Sequence, residues 1–190
     1  MLWHWVSFMQ SQLAEKIRLE HEAARLFMRL YEERFQRAMR HIWHNEPAKP
    51  DVSCYLQDQR LDLEIAHLYG SEVEAMHILG RTLTAQTRNE LLQLQQVPVK
   101  HRLLTALARL IAQKSRKTYQ SDRVWLVIRN ANPTWQCDEL TEQHLDWFLP
   151  QTPQFEQIWL VKDMAGQSGI IPLYPMQLWH QFQQQHKGVE

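Results

Sequence analysis

Apolar residues recur every three or four positions over residues 11–44, with charged residues between them and no proline or glycine among them. This spacing places the apolar side chains on one face, so it predicts one long amphipathic helix. Pro47 and Pro50 end the helix, because proline cannot continue helical hydrogen bonding. The apolar face comprises Leu13, Ile17, Ala24, Phe27, Met28, Tyr31, Phe35, Ala38 and Ile42.

Two shorter runs with a period of two follow, residues 50–56 and 61–68, and the polar residues 57–60 connect them. Alternation of this kind predicts the two strands of a β-hairpin. Asp62 and Glu64 are two positions apart and therefore lie on one face of the second strand. The predicted hairpin thus gathers acidic side chains on one side.

Asp51 opens the first of these strands, and Glu64 lies well along the second. Carboxylates that converge from neighbouring strands can recruit a hard divalent cation such as Mg²⁺ or Mn²⁺. The pair therefore predicts a metal site. The alternative is that both acids lie on a solvent-facing side without a ligand, as charged residues usually do.

The next part of the chain predicts further helices. Residues 72–96 predict a helical region that is interrupted or bent near Gly80, and residues 100–119 predict a helix whose apolar stripe reaches Lys114 and Lys117. A buried ammonium is costly unless it finds an anion. The two lysines therefore either point at the hairpin acids or extend to water from the last turn, where cations suit the helix dipole.

Near-continuous apolar runs at residues 124–128 and 158–161 predict central strands that are buried on both faces. Residues 137–149 between them predict a short helix, and a strand, helix, strand unit favours a parallel crossover. Residues 169–175 predict an edge strand, and residues 176–186 predict a terminal helix. Together these elements predict an α/β protein.

The composition fits a globular protein, since 44% of the 190 residues are hydrophobic and 22% are charged. This length suits a single domain over residues 1–190, with an aromatic segment at 1–10, a core over about 11–175 and a C-terminal helix and tail at 176–190. The formal net charge is zero, which argues against indiscriminate binding to nucleic acid. Basic residues nevertheless outnumber acidic ones over 100–129, which predicts either a basic binding face or a solvated helix face.

Cysteine usage and the N-terminus bear on cellular location. Cys54 and Cys137 are far apart in sequence, which fits reduced thiols in a cytoplasmic protein better than a disulfide framework. Trp3, Trp5 and Phe8 could dock on the protein body, on a second subunit or on a membrane surface. We expect no signal peptide and no membrane-spanning segment.

The order of helix, Pro-Asp strand, acid-bearing strand, lysine-rich helix end and buried strand resembles the PD-(D/E)XK nuclease superfamily. Asp51 and Glu64 stand where this superfamily keeps its two metal ligands. Residues 113–119, followed by residues 125–128, also look like the second half of bacterial members. The resemblance covers about residues 20–175 and implies a restriction-endonuclease-like fold, with three α/β/α layers, a mixed central sheet and a long N-terminal helix.

The resemblance also implies a catalytic lysine. In this superfamily the lysine belongs two positions after Glu64, where this chain has Ala66. The lysine helps to orient or activate the water that attacks the phosphodiester, while the carboxylates hold magnesium. Some members carry it on a neighbouring helix, and Lys114 or Lys117 is the candidate for that role here.

A further acid on the first helix often completes the sites of this superfamily. Glu32 is the predicted residue, because it is closer to the hairpin in sequence than Glu20. The resemblance thus implies an endonuclease that depends on Mg²⁺ or Mn²⁺ and hydrolyses DNA, or alternatively RNA. Phosphates would be held on the basic face by Arg109, Arg116 and Arg123.

Two alternatives remain open at the level of sequence. Because Ala66 replaces the usual lysine, the chain could keep a nuclease-like scaffold without catalysis and serve as a binding or assembly module. The tryptophan-rich N-terminus and the long first helix would then contact a second copy or another protein. The chain could also be an unrelated α/β protein, since it has no glycine-rich phosphate loop, nucleophile elbow or zinc-ligand spacing.

Overall fold

A computed structural model describes the chain except for residues 1, 46–49, 71, 79, 81, 83, 95, 150–153 and 188–190. The helices are α1 (Leu2–Phe35), α2 (Glu72–Ile78), α3 (Ala85–Leu94), α4 (Val99–Ser115), α5 (Glu142–Phe148) and α6 (Met176–Lys187). The strands are β1 (Met39–His44), β2 (Val52–Leu56), β3 (Gln59–Leu68), β4 (Val124–Asn130), β5 (Gln157–Val161) and β6 (Ile170–Tyr174). A short 3₁₀ turn, Cys137–Glu139, precedes α5.

The six strands among the described residues form one mixed sheet in the order β1-β2-β3-β4-β5-β6. The three central strands, β3, β4 and β5, run parallel, and every other neighbouring pair is antiparallel. This arrangement confirms an α/β protein with a mixed sheet and a long N-terminal helix. It also confirms the parallel crossover between the two apolar runs and the edge strand that follows them.

The first helix ends earlier than its apolar pattern predicts. α1 stops at Phe35, and Met39–His44 forms edge strand β1, so the prediction of a helix to residue 44 is wrong. Gln36 has a positive φ of 54°, which turns the chain out of the helix. Met39 then pairs with Leu56, and His44 pairs with Val52. Pairing with the hairpin therefore overrides a helical spacing that continues by coincidence.

The predicted hairpin is present, with a tighter turn than expected. Gln57 and Asp58 form the turn alone, with φ values of 48° and 69°, and β3 begins already at Gln59. Positive φ at both central residues is the geometry that matches the twist of two antiparallel strands. Asp is among the residues that tolerate it best. The ladder fixes the register through pairs such as Val52 with Leu63.

Helix α1 covers one face of the sheet through an aromatic cluster. The Phe27 ring lies 6.3 Å from the ring of Trp125 and 5.8 Å from that of Trp159, between ring centroids. Tyr31 lies 5.4 Å and 5.5 Å from the same two rings. Burial of one such aromatic side chain stabilises the fold by about 2 kcal/mol, so this cluster anchors the C-terminal half of α1.

The opposite face of the sheet is covered by α4, α5 and α6. Leu107 and Ile111 of α4 are fully buried against Leu126 of β4, and Phe182 of α6 joins the same core. The apolar stripe predicted for residues 100–119 therefore faces the sheet. Its helix ends at Ser115, and Lys117 then reaches Glu64 near the middle of β3.

Strand β3 extends beyond its partner β2. The described ladder between them ends at the pair Val52 with Leu63, while pairing with β4 continues to Leu68. Among the described residues, 65–68 are therefore paired on one side only. This open edge of β3 lies between α1 and α4, and it is where the candidate site forms.

Other sequence predictions can be compared with the structure directly. Cys54 and Cys137 are free thiols, and burial raises the pKa of each to about 12. The region 72–96 divides into α2 and α3 around Gly80, as predicted. None of the helices in the described part of the chain has the length and apolarity to cross a bilayer. The side chains of the aromatic segment at 1–10 that matter to the docking prediction, Trp3, Trp5 and Phe8, lie outside the described residues.

Candidate active site

The hairpin brings two carboxylates together at the middle of β3, where its open edge begins. Asp51 comes directly before β2, one step beyond the pair of Val52 with Leu63, and so stands opposite Glu64 on the same face of the sheet. The Asp51 Oδ2 atom accepts a hydrogen bond from the backbone N–H of Ile65 at 2.8 Å. The Glu64 side chain is only 1% exposed. The predicted convergence of Asp51 and Glu64 is thus present in the structure.

Two lysines from the end of α4 complete this cluster. Lys114 Nζ donates to Glu64 Oε1 at 2.7 Å and to the Ile65 carbonyl oxygen at 3.0 Å. Lys117 Nζ donates to the same Glu64 oxygen at 3.0 Å. The Lys114 side chain is 15% exposed, whereas that of Lys117 is 53% exposed. The two lysines therefore point at the hairpin acids and do not extend to water away from them.

The acid that α1 contributes is Glu20. Glu20 is 5% exposed, and its Oε1 atom lies 3.3 Å from Lys16 Nζ. Its Oε2 atom is buried and has no hydrogen-bond partner among the described residues. Burial is the main cause that raises the pKa of Glu20, and the negative charge of Asp51 raises it further. Glu20 therefore belongs to the same electrostatic cluster as Asp51.

Glu32, the acid chosen from sequence, is not brought to this cluster. It forms a two-pronged ion pair with Arg40 of β1, with distances of 2.5 Å and 2.6 Å. Twelve residues along a helix separate Glu32 from Glu20 by about 18 Å, at about 1.5 Å per residue. The signal that favours Glu20 is its place on the buried stripe of α1, four residues before the fully buried Ala24.

Burial and neighbouring carboxylates both shift pKa values at the site. Burial raises the pKa of Asp51, as does the neighbouring Glu64, while Lys114 and the Ile65 N–H offset part of the rise. Burial and the charges of Glu64 and Asp51 also raise the pKa of Tyr119, whose hydroxyl donates to the Lys114 carbonyl at 3.1 Å. Each of these shifts would be relieved by a cation placed between the carboxylates.

Lys117 responds to the same charge in the opposite sense. Burial tends to lower the pKa of its ammonium, but its hydrogen bond to Glu64 and the charges of Glu64 and Asp51 outweigh this effect and raise the pKa overall. Lys117 therefore stays protonated beside the acids. Its larger exposure leaves it able to contact a ligand as well as Glu64.

The oxygen atoms at this point suit a hard cation. Mg²⁺ is usually bound through one or two carboxylates, with water and substrate phosphates completing its octahedron. Asp51 and Glu64 supply two carboxylates, and the Ile65 carbonyl supplies a third oxygen beside them. In the described part of the chain, no group of three or more His, Cys, Asp or Glu side chains is placed to hold a metal ion. Asp51 and Glu64 offer two carboxylates to a cation, and in this structure Glu64 Oε1 accepts from Lys114 and Lys117 while the Ile65 carbonyl accepts from Lys114. The Glu20 Oε2 atom remains without a partner among the described residues.

A cavity of about 560 Å³ adjoins the cluster, and Glu20 of α1 and Lys114 of α4 line it. Ala66 lines the same cavity from the open edge of β3. A small side chain at this position leaves room for Lys114 to reach Glu64 from the helix. The Lys114 ammonium of α4 therefore lies beside Glu64 of β3.

A second polar network fixes the chain just before β2. The Asn45 backbone N–H donates to the Asp51 carbonyl at 3.1 Å, and the Asn45 side-chain amide donates to the Pro50 carbonyl at 2.8 Å. Asn45 also contacts Ser53 Oγ, which donates to Asp62 Oδ1 at 2.5 Å. Asp62, the third acid of the hairpin, thus bonds to Ser53 and Arg60 and not to the acid cluster. Sequence reasoning missed Asn45, because its role depends on the closure of the loop that follows β1.

The three arginines expected to bind nucleic acid lie in different places. Arg109 of α4 donates to the Gly70 carbonyl at 2.5 Å, just beyond the end of β3. Arg116 caps α4 and is exposed close to the two lysines. Arg123 bonds to Glu156 and Gln59, at the opposite end of β3. Arg109 and Arg116 therefore belong to α4 and its C-cap, the helix that carries Lys114. Arg123 lies away from the acid cluster.

Comparison of the chain with protein-family models, with curated proteins and with solved structures finds no match.

Proposed function

We propose that this protein is a metal-dependent nuclease with a restriction-endonuclease-like fold, acting on DNA or on RNA. The observation that carries the proposal is the convergence of Asp51, Glu64 and Lys114 where the open edge of β3 begins, beside a cavity. Two carboxylates with an adjacent ammonium can hold a divalent cation and stabilise the charge that develops during hydrolysis of a phosphodiester. The resemblance described from sequence supports the same function.

Each residue of the cluster has a defined task in this proposal. Asp51 and Glu64 would hold Mg²⁺ or Mn²⁺, which when bound polarises the phosphate and lowers the pKa of coordinated water. Lys114 would orient the attacking water and balance the charge that develops on the phosphate oxygens. Lys117, being more exposed, would contact a phosphate oxygen of the substrate. Glu20 would hold a water molecule at its unpartnered oxygen.

One observation favours the second candidate, a nuclease-like module without catalysis. The Glu64 carboxylate already receives hydrogen bonds from two ammonium groups, so its charge is balanced within the protein. Such a pair can serve stability alone. Under this alternative, the chain would bind a nucleic acid or protein partner without cleaving it.

The test is cleavage of a supercoiled plasmid and of a labelled oligonucleotide in Mn²⁺ or Mg²⁺, together with calorimetric titration of Mn²⁺. We expect Asp51→Asn and Glu64→Gln each to lower cleavage by at least about 100-fold and to weaken Mn²⁺ binding. The control is Glu32→Gln, which removes an acid of α1 away from the cluster and should cleave like the natural protein. If the natural protein neither binds Mn²⁺ nor cleaves either substrate, the nuclease proposal fails and the binding module is favoured.

A further inference from the structure

We propose that the cavity beside the acid cluster receives a single unpaired nucleobase, so that the substrate is single-stranded nucleic acid or a frayed end. This inference rests on the proposed nuclease function and names its substrate class. The cavity occupies about 560 Å³ between α1, the open edge of β3 and α4. Pockets of about 300–1,000 Å³ enclose most of a drug-sized ligand, and a nucleotide is of that size.

The walls of the cavity are suited to a base rather than to a phosphate. Leu13 and Leu19 of α1, together with Leu110 of α4, supply apolar surface. Leu13 is 55% exposed, which leaves apolar surface at the mouth of the cavity. An apolar recess of this kind would not bind a phosphate, which needs positive charge or several N–H donors.

The charges that line the cavity cancel. Glu15 and Glu20 supply two negative charges, and Lys16 and Lys114 supply two positive charges. A groove that follows a nucleic-acid backbone carries an excess of positive charge. The lining therefore offers no net attraction for phosphate, whereas the acid and lysine cluster at one end would hold the phosphodiester itself. The group that enters the recess is then the neutral part of a nucleotide.

Aromatic side chains lie at the other end of the recess. The rings of His67 and Tyr69 are nearly parallel, with an interplanar angle of 21° and centroids 6.0 Å apart, and both line the cavity. Burial and the positive charges of Arg129 and Lys114 lower the pKa of His67 to about 4, so its ring is neutral near pH 7. Bases stack on aromatic rings with little regard to sequence, because every base has a π-face.

A smaller cavity of about 190 Å³ continues from the first. It shares His67, Tyr69 and Leu110 with the larger cavity, and it ends at Arg109 and Gln113. A strand could therefore have one phosphate at the acid cluster, its base in the recess and the next phosphate at Arg109. Bases of an intact duplex are paired and stacked on one another, so they cannot enter such a recess without being flipped out.

The experiment measures binding by fluorescence anisotropy in EDTA, which separates it from metal-dependent cleavage. The probe is a fluorescein-labelled oligothymidylate of about 12 nucleotides, a site size within the range of single-strand binders. Competitors are oligouridylate, a blunt duplex and an abasic oligomer with the same phosphate backbone. We expect oligothymidylate to bind at least about tenfold more tightly than the duplex and the abasic oligomer. Equal affinity for the abasic oligomer would overturn the inference, because phosphates alone would then explain binding.

Variants of the cavity give a second readout. Tyr69→Leu should weaken oligothymidylate binding by about tenfold and leave the abasic oligomer unaffected. Leu13→Gln should also weaken oligothymidylate binding, and Leu13 is exposed enough for this change to leave folding intact. Trp147→Leu is the matched control, since Trp147 is 62% exposed on α5 and lies outside the cavity lining. Unchanged binding in both cavity variants would contradict the inference.

The two proposals fail in distinguishable ways. Preferential binding of oligothymidylate in EDTA without any Mn²⁺-dependent cleavage would retain the base-binding cavity and reject the nuclease. Cleavage of duplex as fast as single strands, with no preference in binding, would retain the nuclease and reject the cavity inference. Comparison of oligodeoxyuridylate with oligouridylate, which differ only in the 2′-hydroxyl group, identifies the sugar that the site accepts.

Discussion

Lys114 Nζ lies 2.7 Å from Glu64 Oε1, and this contact joins the end of α4 to the middle of β3 across 50 positions of sequence. The Glu64 side chain is 1% exposed, so its charge is retained inside the protein only through its partners. The same lysine also donates to the Ile65 carbonyl. The contact therefore serves the fold and the candidate site together, and the two roles can be separated by mutation.

Lys114→Met should destabilise the protein by about 3 kcal/mol, because it leaves a buried carboxylate with less compensation. The double variant Lys114→Met with Glu64→Gln should recover part of this loss, since no buried charge is then left unpaired. Urea unfolding of the single and double variants measures both values. Lys117→Met is the matched control, and it should cost at most about 1 kcal/mol because Lys117 is 53% exposed. Strictly additive effects of the single changes would contradict this coupling.

Glu20→Gln should lower metal-dependent cleavage by about tenfold or more while slightly stabilising the fold. The change removes a buried carboxylate whose pKa is raised by burial and by Asp51, and it keeps the size of the side chain. The lost pair with Lys16 costs little, because the Lys16 side chain is 66% exposed. Thermal unfolding and oligonucleotide cleavage are the measurements. Glu32→Gln provides the control on the same helix, and an equal loss of cleavage in both variants would argue against a special role for Glu20.

Asp51→Asn should increase the free energy of unfolding at pH 7 by about 1 kcal/mol, because residues placed for function commonly cost stability. The folded state raises the pKa of Asp51 above its usual value of 3.8, so the unfolded chain loses this proton at lower pH than the folded protein does. The Asp51 contribution to stability is therefore fully present below about pH 3.8 and is lost as the pH rises through the folded pKa. The benefit of Asp51→Asn should shrink as the pH falls toward 4, as measured by urea unfolding in EDTA. A benefit that is constant with pH would contradict the assignment.

Patterns with a short period predicted much of this fold. The hairpin and the two buried strands β4 and β5 were predicted because their alternation or continuous apolarity leaves no competing helix. Strand β1 was missed, since Met39–His44 continues the helical spacing of α1 and only pairing with β2 selects the strand. Propensity and spacing describe a segment alone, whereas an edge strand is defined by its neighbour.

The candidate site was predictable to the same extent. The alternation of side chains along two paired strands was enough to predict that Asp51 and Glu64 lie together. The apolar stripe of α4 was enough to predict that Lys114 points toward the sheet. Proximity in sequence misled the choice of the helical acid. Glu32 pairs with Arg40 near the turn of the hairpin, whereas Glu20, twelve residues earlier on α1, lies near Asp51. Glu20 could have been predicted from its place on the buried face of α1. Asn45 could not, because its contacts with Pro50 and Asp51 form only when the chain after β1 returns to β2.

Acid should destabilise this protein through His67. Burial and the charges of Arg129 and Lys114 lower its pKa to about 4, against 6.5 for an ordinary histidine. Between these values the unfolded chain binds a proton that the folded protein does not, so this stability is fully present above pH 6.5 and is lost as the pH falls toward 4. His67→Gln should therefore reduce the fall in melting temperature over this range by a few degrees. His101→Gln, on the exposed surface of α4, should leave the pH profile unchanged, and parallel profiles for both variants would refute the assignment.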